Sequence, residues 1–207
     1  MPTLVSTDTI SEYQLLTSDE FLDWLEPGRH ADLIGGETFR HSPVSLKHAD
    51  LLNFLDSLLR RYLEHSNLGG KLYREVVAVK LSARNVFEPD LCWFSPEQVR
   101  GLRPTHAPFA PLWVCEALSP STADREVGPK FTAYEDHGVK EYWVLDPHTL
   151  RHRFYALEDE VFVEFAREGD WIESKVIPGF KVARAWLNPE ALPLVGDCLG
   201  QMLTGPE

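Results

Sequence analysis

Cysteine is scarce, with three residues in a chain of 207. Cys92, Cys115 and Cys198 are odd in number, far apart and form no CxxC pair, which excludes a disulfide framework and a zinc-finger pattern. Long apolar runs are missing too. None approaches the ~20 residues that a membrane helix needs, and the N-terminus lacks the basic start and apolar stretch of a secretion signal, so a soluble cytoplasmic protein is expected. Basic residues are outnumbered, 20 Lys and Arg against 32 Asp and Glu, leaving a net charge of −12. Nucleic-acid affinity rests largely on Lys and Arg neutralising phosphates, so this balance counts against tight, non-specific DNA binding. It leaves open a focused basic groove, a basic partner, or an acidic patch relieved by bound cations. There is no internal repeat and no low-complexity tract. What is plentiful is core material: 43% hydrophobic residues, with six Trp and eleven Phe. That suits one domain spanning 1–207.

Thr17-Ser18-Asp19-Glu20 has the spacing of a capping box ahead of Phe21, Leu22, Trp24 and Leu25, predicting a short helix that ends near Pro27-Gly28. His30–Ile34 and Glu37–His41 flank Gly35-Gly36, two glycines able to take the positive φ of a tight hairpin turn. From Lys47 to His65, Leu51, Leu52, Leu55, Leu58, Leu59 and Tyr62 recur at three- and four-residue steps, the mark of a half-buried helix, which Gly69-Gly70 is expected to end. Strands are predicted at Leu72–Leu81, Asp90–Phe94 and Leu112–Leu118, with Ser95–Pro111 between the last two as a loop or lid carrying Arg100, Arg103 and His106. A helix from Pro129 to Gly138 and a strand at Glu141–Leu145 follow. Arg151–Leu157, Val161–Ala166 and Trp171–Ser174 read as an antiparallel meander, and the tail beyond Pro178 reads as loop-rich, with a short helix near Ala183–Leu187.

Two carboxylates stand out on this map. Asp90 opens one buried strand and Glu116 lies near the end of the next, among Trp, Val, Cys and Leu. Desolvating a carboxylate costs several kcal/mol unless it is paired or bound to metal. A shared divalent cation is one explanation, since Mg²⁺ is satisfied by one or two carboxylates, water and a substrate phosphate. Lys130, at the start of the following helix, could reach back over the Glu116 strand and stabilise a phosphate undergoing attack. Ser119-Pro120-Ser121-Thr122 offers hydroxyls and turn geometry in the crossover between them. Each residue also has a plainer role. Asp90 after proline can simply turn the chain, Glu116 can form a buried salt bridge to Lys130, Lys130 can be a solvated first-turn residue, and Glu37 an exposed strand residue.

The runs Asp32-Leu33-Ile34-Gly35-Gly36-Glu37, Ser42-Pro43, Glu88-Pro89-Asp90, Val114 through Thr122, Lys130 through Tyr134, Gly138 through Trp143 and Ile177-Pro178-Gly179-Phe180 occur in this order. As a set they resemble the Uma-two family of bacterial endonuclease-like proteins, within the PD-(D/E)XK nuclease superfamily. The resemblance implies an α/β (α+β) restriction-endonuclease-like fold: a mixed central β-sheet flanked by helices, an N-terminal hairpin and a C-terminal meander. The core would span about 17–180 and the tail 181–207. Carried over, it makes Asp90 the aspartate of the PD motif, Glu116 the second metal ligand and Lys130 the catalytic lysine, with Ala117 in the metal shell. Glu37, and also Asp32, would add an acid. The superfamily's usual lysine position is Leu118 here, and Gly35 and Pro129 stand where the family usually has Asp and a charged residue. The implied activity is Mg²⁺-dependent cleavage of nucleic acid, DNA in particular, with Mn²⁺ as an alternative ion and a homodimer supplying two active sites. A catalytically inactive binding or assembly module on the same fold is the competing reading, and a hydrolase of a smaller phosphorylated substrate a third.

Overall fold

Gly35 and Gly36 adopt φ of 60° and 95°, so the chain reverses in two residues. They join β1 (Ala31–Ile34) to β2 (Glu37–Arg40) in an antiparallel hairpin with Ile34 opposite Glu37. The computed structural model describes residues 15–26, 28–75, 77–119 and 128–204; Pro120, Ser121 and Thr122 of the crossover lie outside them. Ahead of the hairpin, the Thr17 side chain accepts from the Glu20 amide and the Glu20 carboxylate takes the Thr17 amide at 2.8 Å. This reciprocal cap starts α1 (Ser18–Trp24) as its spacing predicts.

The longest helix, α2 (Leu46–Ser66), is capped by Ser45 and buries Leu51, Leu52, Leu55, Leu58, Leu59 and Tyr62. Each such leucine stabilises the fold by about 1.5–3 kcal/mol on leaving water. Gly69-Gly70 does not end this helix. Asn67 does, at φ 53°, because a left-handed residue there turns the chain away. Gly70, at φ 79°, serves a different need: a Cβ there would run into the Phe94 carbonyl and the Trp93 indole. Gly70→Ala is therefore expected to lower stability by about 2–4 kcal/mol. Urea unfolding checks this, and a loss below about 1 kcal/mol, the scale of backbone entropy alone, counts against it.

The strand expected over Leu72–Leu81 is broken in two, β3 (Lys71–Arg74) and β4 (Ala78–Lys80), because Glu75 between them takes φ 45°. After β5 (Val86–Phe87) and β6 (Leu91–Phe94), the expected loop holds a capped helical turn, α3 (Pro96–Val99), and a two-residue strand, β7 (His106–Ala107). Then come β8 (Trp113–Ala117), α4 (Pro129–Asp136), β9 (Glu141–Leu145), β10 (Arg153–Glu158) and β11 (Val161–Phe165). The central sheet runs β11-β10-β9-β8-β6-β3 and is mixed, with β8 and β9 parallel and joined through α4. A second sheet, β2-β1-β5-β4-β7, contains the hairpin. The meander stops at β11: β12 (Trp171–Glu173) pairs with β13 (Lys181–Ala183), away from the central sheet. The tail, expected to be loop-rich, contains β13, a 3-10 turn at Arg184–Leu187 and α5 (Val195–Thr204), whose Cys198 and Met202 are buried.

Side-chain alternation assigns the two faces of the central sheet. Leu91, Trp93, Trp113, Cys115, Trp143 and Leu145 join the leucines of α2. Cys92, Phe94, Val114, Tyr142 and Val144 meet Ala133 and Tyr134 of α4, with Val79 and Phe87 of the second sheet. Glu116 shares its strand face with Val114, so it points into the seam between the two sheets. All three cysteines are buried free thiols. Among the described residues, no helix is long and apolar enough to cross a membrane.

Candidate active site

Antiparallel pairing sets Leu91 opposite Cys115, which brings Asp90 and Glu116 together at one end of the central sheet. The backbone then locks them. The Asp90 amide donates to Glu116 Oε2 at 3.2 Å, and the Ala117 amide donates to Asp90 Oδ2 at 2.7 Å. Lys130, the second residue of α4, is 2% exposed and lays its Nζ 2.6 Å from Glu116 Oε1 and 3.3 Å from Asp32 Oδ2. One turn later on the same helix face, the Tyr134 hydroxyl donates to Glu116 Oε1 at 2.8 Å. The start predicted for α4 thus turns Lys130 inward, and Lys130 spans both sheets: Glu116 belongs to the central one and Asp32 to the hairpin.

Asp32 is itself held by polar groups around it. Asp32 Oδ1 accepts the Glu88 amide at 2.9 Å, and His41 Nε2 stands 3.2 Å from Asp32 Oδ2. Glu88 Oε2 accepts the Ala31 amide at 3.2 Å and lies 3.4 Å from His30 Nδ1. The result is a cavity of about 390 Å³ whose walls include the acids Asp32, Glu75, Glu88, Asp90 and Glu116, three histidines and one lysine. Burial pushes the Asp32 carboxyl up, but the Lys130 charge and His41 outweigh it and hold the group at about 2. Burial raises Glu116, reinforced by Asp90 and Asp32 and opposed by Lys130. Glu88 is raised by burial as well, against the pull of His41 and His30. Burial depresses His41, yet contact with Asp32 leaves it above its usual value.

The structure brings Asp90, Glu116, Ala117 and Lys130 together, with Asp32. It does not bring Glu37, which is exposed at the end of β2 and absent from the cavity wall. Glu37 lies opposite Ile34 and so shares the Asp32 face of the hairpin, but it sits beside the Gly35-Gly36 turn, where it is exposed; the buried Asp32, two residues further from the turn, is the acid that reaches the seam. Ser119 lines the cavity, whereas Arg100, Arg103 and His106 do not. Sequence reasoning gave no role to Glu88, His30 or His41. Glu88 adjoins Pro89-Asp90, the signal that was there to use; the two histidines reach the site only through the hairpin.

The donor set fits a hard divalent cation. Asp90 and Glu116 supply carboxylate oxygens, and the Ala117 main chain lies beside them, its amide donating to Asp90. Among the described residues, no group of three His, Cys, Asp or Glu forms a ready metal cage.

The acid pair at the end of a mixed sheet, with a buried lysine against the glutamate, belongs to a mixed α/β protein. The chain belongs to the Uma2 family, described as "putative restriction endonuclease", whose model matches residues 18–187. Among solved structures, it is similar to a putative nuclease of the DUF820 group from Anabaena variabilis, with a TM-score of 0.63 and 18% identity over 90% of this chain and 99% of that one. The fold is therefore the nuclease-like α/β fold. No curated protein matches.

Proposed function

We propose that this protein hydrolyses phosphodiester bonds in DNA, with Mg²⁺ or Mn²⁺ held by Asp90, Glu116 and the Ala117 carbonyl. The observation that supports this reading is the convergence of Asp90, Glu116 and Lys130 on one acidic cavity. A bound cation would polarise the phosphate and lower the pKa of an attacking water. The chain's own groups do the rest. The Asp90 amide holds Glu116 and the Ala117 amide holds Asp90, so their oxygens are set before any ligand arrives. Lys130 and Tyr134 engage Glu116 Oε1 and keep its second oxygen, already held by the Asp90 amide, turned to the Asp90 side. The Lys130 ammonium supplies positive charge where the phosphate gains negative charge. The excess of acids in the cavity repels a bare phosphate, so substrate entry depends on the cation. Two copies of the chain would supply the two cuts of a duplex.

Calorimetric titration of Mg²⁺ and Mn²⁺ into wild type and Asp90→Asn, with a plasmid-nicking assay under the same conditions, tests the reading. Asp90→Asn is expected to weaken metal binding by about ten- to a hundredfold, and nicking should fall with it. Absence of metal binding by wild type at millimolar concentration would instead favour a binding or assembly module that keeps the fold and the closed Lys130–Glu116 pair.

A further inference from the structure

His48 is the third residue of α2, and it lies in line with Leu51, Leu52 and Leu55 on the face that the helix buries. A leucine would fit that pattern. The side chain is 4% exposed, and neither ring nitrogen has a hydrogen-bond partner. Its Nε2 stands 3.6 Å from Asp90 Oδ2, too far for a hydrogen bond, and the residue lines the acidic cavity. Leaving a polar group buried without a hydrogen bond costs about 1–3 kcal/mol, which the Asp90 carboxylate 3.6 Å away offsets only through its charge. The main-chain amide of His48, by contrast, is used: it donates to the capping Ser45 hydroxyl at 3.2 Å, which fixes the first turn and aims the imidazole at Asp90.

We infer that His48 is a nitrogen donor to the cation held by Asp90 and Glu116, so that the centre prefers Mn²⁺ or a similar first-row ion to Mg²⁺. The inference rests on the metal site proposed above and specifies its ion. Mg²⁺ takes oxygen ligands almost exclusively, whereas imidazole nitrogen suits transition ions. Two donors bound to one ion at about 2.1 Å lie roughly 3 Å apart when adjacent and about 4 Å when opposite. The 3.6 Å between His48 and Asp90 exceeds the adjacent spacing by roughly 0.6 Å, a shift within reach of a side-chain rotation. Among the described residues, no three such side chains already surround one point, so His48 has to move to join the acids. No hydrogen bond holds the imidazole back from closing the gap.

The test uses wild type, His48→Leu and His48→Gln. Mg²⁺ and Mn²⁺ affinities are measured by calorimetry, Mn²⁺-bound samples are examined by pulsed EPR for directly coordinated ¹⁴N, and metal-free samples are melted. Wild type should show the ¹⁴N coupling and both variants should lose it. The Mn²⁺ to Mg²⁺ affinity ratio should fall by about tenfold or more in each. Metal-free His48→Leu should melt at or above the wild-type temperature, since it replaces an unsatisfied imidazole with an apolar group. Mn²⁺ bound to wild type without ¹⁴N coupling, or an unchanged affinity ratio in both variants, overturns the role of His48 and leaves the Asp90–Glu116 site standing. A large metal-free destabilisation of both variants likewise assigns His48 to the fold. Failure of wild type to bind either ion overturns the inference together with the function it rests on.

Discussion

Lys130→Met should destabilise the protein by about 3–5 kcal/mol and slow DNA cleavage by about a hundred- to a thousandfold. Methionine preserves most of the aliphatic volume, so the loss reports the charge. Lys130 is 2% exposed and serves Glu116 and Asp32 at once; its removal leaves two buried carboxylates facing each other across the seam. Pairing it with Glu116→Gln separates the two effects. The double variant removes one of the stranded charges and should regain part of the stability, while cleavage stays lost. The acid side of the stability profile changes too. Asp32 is held at about 2, below its usual 3.8, so its contribution is present above the usual value and disappears as pH falls through the folded one. In Lys130→Met most of that contribution should already be absent at neutral pH. Stability within about 1 kcal/mol of wild type would mean that the lysine does not hold the acids charged.

The second large effect lies far from the chemistry. Glu141 opens β9, is fully buried, and gathers four donors. Trp143 Nε1 donates to Oε1 at 2.5 Å, while the Ser174 hydroxyl and the amides of Lys175 and Val176 donate to Oε2 at 2.9, 2.6 and 3.0 Å. One carboxylate thus fastens the turn after β12 onto the central sheet. Glu141→Gln puts an amide N–H₂ against donors on whichever side it lies, and a loss of about 3 kcal/mol is expected. Burial lifts the Glu141 carboxyl from 4.5 to about 6 in spite of those donors. The folded state therefore binds the extra proton between those values. The stability it contributes is full below the unfolded value and declines as pH rises through the folded one, by about 2 kcal/mol in all. Urea unfolding from pH 4 to pH 8, on an approximate grid of one unit, should show this decline in wild type beyond that in Glu141→Gln. Equal slopes would show that Glu141 is not the group responsible. Glu88 and Glu116 are raised as well and act in the same direction, so the difference between the two proteins carries the information.

Local chemistry made much of this fold legible. The capping box at Thr17, the glycine pair of the hairpin, the leucine stripe of α2 and the apolar runs of β8 and β9 each encode their element in a few adjacent residues. What escaped depends on distance in the chain. β5 is two residues long and exists because β1 and β4 flank it. The division between β3 and β4 hangs on a positive φ at Glu75, a conformation that glutamate gives no warning of. α5 contains Gly196 and Gly200, poor helix formers, and is held by burial of Cys198 and Met202 against the core. The site divides in the same way. Asp90, Glu116 and Lys130 show as charges in apolar or helix-start positions, whereas the pairing of Asp32 with Lys130 and the isolation of His48 arise only when two sheets and a helix meet.

The burial of every cysteine has a practical side. Cys92 and Cys115 sit on opposite faces of the central sheet and Cys198 is on the buried face of α5, and burial raises all three thiols above their ordinary range. A thiol that is both protonated and enclosed reacts slowly with electrophiles. A single cysteine engineered onto the surface would then be the one that maleimide reaches. A fluorophore could be placed beside the cavity mouth of the otherwise native chain, with none of its own cysteines replaced.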